Sequence, residues 1–162
     1  MQIQEGKSGL FQGFNIMCET ICSLTPTGRK FTYQELLFGW AYSTICWNTM
    51  GRSHSVAGIM FHHITWKDDC LVITFPKSKC DQTGEGLSND KHVYANPYKP
   101  AVCPILALAV MVFCTYRADG SEQHKLFGGN GPVNRFIKIL KKIRCYSKRK
   151  KFRRSKVWCF PP

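Results

Sequence analysis

Past Glu122 the chain has no acidic side chain, while 12 of its 23 Lys and Arg stand from Arg135 onward. The other 11 are nearly matched by the 10 Asp and Glu, so the net charge of +13 belongs to the last helix and tail. A block such as "KRKKFRRSK" (Lys148 to Lys156) suits any polyanion or a nuclear localisation signal, and it is equally what a solvated tail looks like. Long apolar runs are missing too. The longest, Ala101 to Cys114, is shorter than the ~20 residues of a membrane helix, so no membrane partner is expected. Met1 is not followed by the basic, apolar and small-residue regions of a secretory signal, which argues against export. Zinc spacing is lacking. The nine cysteines are an odd set scattered through apolar segments, as expected of reduced thiols inside a cell. Cys18 and Cys22 could share a metal on one helix face, but no second pair stands at ligand spacing, so no metal is expected. Nor is there a phosphate-binding glycine loop, because "FGGNG" (Phe127 to Gly131) precedes rather than follows a strand-like run. No cofactor and no small-molecule substrate are expected.

What is present reads as alternating helices and a small sheet. Leu10, Phe14, Met17, Cys18 and Ile21 recur at helical spacing and predict an amphipathic helix over 9–23. Thr32 and Glu35 form a Thr-x-x-Glu capping box. They open a helix from Tyr33 to about Met50 that is apolar nearly all round, with Gly51 as its terminator. "HHITWKDDCLVITFPKSK" gives two β-rich runs split by Lys67, Asp68 and Asp69, the pattern of a hairpin. "CDQTGEGLSND" is a polar loop, and "KHVYANP" (Lys91 to Pro97) offers a third strand. Pro104 opens a buried helix to Arg117. A last helix starts near Pro132, with Val133, Phe136, Ile137, Leu140 and Ile143 on one face. The predicted fold class is mainly α with a small three-stranded antiparallel sheet, α+β, in one domain.

The succession "WNTMGRS", "HHITWKDDCLVITFPKSKCDQTGEG", "HVYANPYKPAVCPILALAV" and "LFGGNGPVNRFIKIL" resembles the tyrosine recombinases, the phage-integrase-like enzymes, and looks closest to those of Crypton-type mobile elements. The likeness runs from about Lys7 to Ile143. It implies a helical catalytic core with a three-stranded sheet, DNA as partner, a nuclear location, and strand cleavage through a phosphotyrosine. Such chemistry needs a tyrosine nucleophile and preorganised cations for the charge that builds on the phosphate oxygens. The resemblance assigns the first arginine to Arg52 and the hairpin lysine to Lys79, with Lys77 two positions earlier as the alternative. Arginine's planar fork suits two phosphate oxygens at once. The competing reading of Arg52 is a cation placed on a helix C-terminal dipole.

The departures from the family weigh as much as the matches. Three residues after His54, His62, His63, His92 and His124 stand Ala57, Thr65, Trp66, Ala95 and Phe127, so the family's His-x-x-Arg box is missing. Tyr146 is the sole tyrosine beyond the likeness and lacks its context. The division expected is an N-terminal lead-in at 1–8, a partial recombinase-like core at 9–144 and a basic, disordered tail at 145–162. Strand cleavage is not expected of it, and Arg52 and Lys79 read as vestigial. Retained DNA binding is expected through Lys77, Arg135, Lys138, Lys141, Lys142, Lys148, Arg149, Lys150, Lys151, Arg153 and Arg154, mostly at phosphates and therefore salt-sensitive. Phe152, Trp158 and Phe160 could stack on unpaired bases or be plain tail residues. A second reading is a non-catalytic fragment that pairs with full-length recombinase protomers through apolar surface on the Tyr33–Met50 and Pro104–Arg117 helices. Asp68, Asp69, Asp81 and Asp90 are read as turn and loop residues rather than metal ligands.

Overall fold

The computed structural model describes the backbone at 3–24, 31–75, 89–115 and 124–156, and side chains at 9–24, 31–75, 90–115 and 124–146. Within these residues the order is α1 (Ile3–Ser23), α2 (Tyr33–Thr49), α3 (Ser53–Ala57), a 3-10 turn (Phe61–His63), β1 (Ile64–Lys67), β2 (Cys70–Phe75), β3 (Asn89–Tyr94), a second 3-10 turn (Pro100–Val102), α4 (Pro104–Thr115) and α5 (Pro132–Lys156). The chain is mainly helical with one antiparallel sheet in the order β1-β2-β3, the class the sequence predicts. None of its described helices is long and apolar enough to cross a membrane.

The middle helix is the axis of the fold. The Thr32 side chain accepts from the Glu35 N–H at 3.2 Å and Glu35 Oε2 accepts from the Thr32 N–H at 3.1 Å, so the capping box forms as read. Because α2 is buried on most sides, its Ser43 and Thr49 hydroxyls have no water to turn to. They donate instead to the carbonyls one turn back, Gly39 at 2.6 Å and Ile45 at 2.7 Å. The helix ends at Thr49, and its cap is Met50, one residue before Gly51. Met50 takes the left-handed cap conformation at φ 48, and its N–H and that of Gly51 close the last turn on Trp47 and Cys46. Glycine at 51 serves another need. A Cβ there would lie 2.8 Å from Thr49 Oγ1 and 2.9 Å from Val56 Cγ2.

Strand pairing follows the alternation of the sequence. Lys67 pairs with Cys70 around a two-residue turn of Asp68 and Asp69, with Asp68 at φ 52, a region short polar side chains tolerate. Ile73, Phe75 and Val93 join Ile45, Val56, Ile59 and Ile139 in the main core cluster. A smaller cluster of Phe14, Cys18 and Val102 seats α1, where Phe14 stacks on Trp47 with centroids 4.6 Å apart.

Some sequence readings shift. α1 begins at Ile3, inside the expected lead-in, and Leu10 is 69% exposed rather than core-facing. Among the described side chains of α5 the buried positions are Ile139 and Ile143, while Ile137 is turned out. The backbone of α5 is helical to Lys156, past the boundary drawn at 144. Residues 124–126, assigned to no element from the sequence, pair with 59–61 through a bridge between Met60 and Lys125.

Candidate functional site

Arg52 stands in the short bend between α2 and α3, at φ −66 and ψ 144, with its side chain exposed and capping nothing. It lies just beyond the C-terminus of the 17-residue α2, whose dipole favours a cation, and at the N-terminus of the five-residue α3, whose dipole does not. Three contacts fix the bend. The Val56 N–H donates to the Arg52 carbonyl at 3.0 Å. The Tyr42 hydroxyl donates to the Ser53 carbonyl, and burial, with Cys46 nearby, pushes that phenol far above its ordinary range, so it serves as a donor. The Phe75 ring lies 3.6 Å from where a Cβ on Gly51 would sit.

Phe75 ends β2, and the segment carrying Lys77 and Lys79 departs from it. Both lysines lie outside the described residues. What is described is the convergence of the Arg52 bend, the end of the hairpin and α5. Tyr42 joins them, since its ring lies 4.6 Å from Phe136 of α5 while its hydroxyl holds Ser53.

The cations of α5 divide by what they touch. Arg135 lies 3.9 Å over the Phe38 ring and donates through Nη2 to the Gly128 carbonyl at 2.9 Å. Its Nη1 would be 2.8 Å from a Cβ on Gly129, itself at φ 88. Arg135 thus braces the glycine-rich turn against α2, and burial lowers its pKa. Lys142 is engaged too, with Nζ 2.6 Å from Glu35 Oε1. Lys138 and Lys141 are exposed and have no acid partner among the described residues. Arg144, not singled out in the sequence, is exposed three positions after Lys141. The i, i+3 spacing that places it beside Lys141 was the available signal. Lys148, Arg149, Lys150, Lys151, Arg153 and Arg154 fall on or beside the part of α5 whose backbone alone is described. Tyr146 packs half-buried against the main core.

A half-open groove of about 690 Å³ lies elsewhere, between the start of α2, the end of α4 and residues 124–129, with Phe38, Phe61, Met111 and Phe127 among its lining. Arg52 takes no part in it. No group of His, Cys, Asp and Glu among the described residues is arranged to hold a metal ion. Comparison with protein-family models, with curated proteins and with solved structures returns no match.

Proposed function

We propose that this chain is a tyrosine-recombinase-type core that holds DNA in the nucleus and does not cut it. The observation that carries the reading is the meeting of three parts at one place: the exposed Arg52 bend, the end of the hairpin at Phe75, and α5. An exposed guanidinium beside the root of a lysine-bearing hairpin suits a phosphate diester. Lys138, Lys141 and Arg144 then add phosphate contacts along the exposed side of α5. Strand cleavage would need a nucleophile together with its charge-stabilising partners. Tyr146 packs against the core and no His-x-x-Arg box occurs in the sequence, so Arg52 works as a binding residue.

Two measurements test this. With a duplex of arbitrary sequence, binding weakens steeply as salt rises, and each cation removed from the interface lowers the salt slope by about one. The variant carrying Lys138→Gln, Lys141→Gln and Arg144→Gln therefore binds less tightly and with a shallower slope; unchanged affinity and slope would remove α5 from the interface. With a nicked suicide substrate, no covalent protein–DNA adduct forms. A tyrosine-linked adduct would overturn the non-cutting part of the proposal.

A second reading, a non-catalytic fragment that pairs with full-length recombinase protomers, has one observation in its favour. Leu106 and Phe113 are 40% and 92% exposed on α4, a helix whose opposite side is packed on α2. Apolar surface of that kind suits a protein partner.

A further inference from the structure

The turn after α3 is clasped to the segment that leads into α5. Met60 and Lys125 form an antiparallel bridge. The Phe61 N–H donates to the His124 carbonyl at 3.0 Å and the Leu126 N–H to the Ile59 carbonyl at 2.9 Å. This clasp positions core residues, because Leu126 and the fully buried Phe127 follow at once, and Phe127 meets both Phe38 and Tyr42 edge-on. One donor in the clasp has a titratable partner. The Met60 N–H donates to His63 Nδ1 at 3.2 Å, and the His63 N–H donates back to the Met60 carbonyl at 3.0 Å.

Imidazole accepts at Nδ1 only while that nitrogen carries no proton. Once protonated, it presents a donor to a donor. We propose that His63 is a proton-sensitive latch: neutral, it holds the Met60 peptide in the clasp, and protonated, it frees that peptide and loosens 124–126 from 59–61.

The surroundings oppose a charge on His63. His62 shares its turn, with ring centroids 4.2 Å apart. Across the clasp stand His124 and Lys125. β2, which packs against the turn, carries no charged residue, and its one titratable group, Cys70, lies at the far end of the strand. Burial first, and the charge of His62 second, lower the His63 pKa below its ordinary 6.5. The opened segment, free of both, binds a proton more readily than the clasped one. The hold is therefore complete above the ordinary histidine value and is lost as pH falls from there through the lower value of the clasped form. The opening constant rises by at most about tenfold for each pKa unit separating the two forms.

The latch does not depend on the DNA reading, since it is tested on the free protein. Hydrogen–deuterium exchange of the full chain, corrected for the intrinsic effect of pH, is followed from about pH 7.5 to about pH 5.5, the range over which histidine charges. Peptides covering 59–63 and 124–126 lose protection together, while those covering β2 and β3 do not. In His63→Asn the amide oxygen can replace Nδ1 as acceptor without titrating, so protection stays level; in His62→Gln, where the pKa values of the clasped and opened forms lie closer, the loss is smaller. Protection that is independent of pH in the wild type, or that falls equally in His63→Asn, overturns the proposal. Where that variant fails to fold, nitrogen chemical shifts of wild-type His63 decide. A neutral ring with its proton on Nε2 supports the latch, and a proton on Nδ1 at neutral pH overturns it.

Discussion

Cys103 shows how a side chain's role depends on where it lands. The sequence places it among scattered thiols before a proline. In the fold its sulfur accepts the Leu106 N–H at 3.4 Å and the Asn96 N–H at 3.3 Å, so it acts as the N-cap of α4, a position serine or aspartate usually fills. Cys103→Ala leaves two poorly hydrated donors without a partner and lowers stability by about 1–2 kcal/mol. Cys103→Ser retains an acceptor and loses less. Urea unfolding separates the variants, and equal losses would mean that packing rather than capping is what the sulfur supplies. Arg135 makes the same point from the other side. Its place in a basic run suggested a DNA contact, and in the fold its guanidinium lies over Phe38 and donates through Nη2 to the Gly128 carbonyl.

Between elements, the contact of α2 with α5 is set by one absence and one ion pair. Gly39 lets Ile139 come within 3.0 Å of where a Cβ would stand, so the helices meet closely at that point. Further along, Glu35 serves α2 and α5 at once, accepting the Thr32 N–H through Oε2 and Lys142 through Oε1. Burial by itself would raise the Glu35 pKa, but the hydrogen bonds from Lys142 and Thr32 and the lysine's charge outweigh it and hold it below its ordinary 4.5. A depressed carboxyl contributes stability that is fully present above its unfolded value and lost as pH falls through the folded one. Denaturant unfolding midpoints measured downward from pH 4.5 should therefore fall more steeply for the wild type than for Glu35→Gln. Equal slopes would mean that the pair is too solvated to matter, as many surface ion pairs are.

At the scale of the molecule, positive charge gathers on α5 and bare apolar surface on α4. Phe113 is almost wholly exposed and follows Leu106 at the i, i+7 spacing of one helix face. Phe113→Ser should leave the unfolding free energy within about 0.5 kcal/mol of wild type, because little is buried there to lose. If α4 is the pairing surface, the same change weakens concentration-dependent association in sedimentation. Unaltered association would place the contact elsewhere and weaken the pairing alternative to DNA binding.

The sequence by itself determined the elements and their class. The capping box at Thr32 and Glu35, the hairpin about Asp68 and Asp69, and the proline starts of α4 and α5 are local, each set by neighbours within a few positions. Arg52 and the cationic run of α5 were likewise legible as residue types. Tertiary structure decided which of those residues are at liberty. It turned Ile139 inward and Ile137 outward, committed Arg135 and Lys142 to internal partners, left Lys138, Lys141 and Arg144 facing water, and paired 59–61 with 124–126. The physical reason is distance along the chain. Lys142 and Glu35 are 107 positions apart, and no local pattern encodes a bond that exists only once two helices have packed.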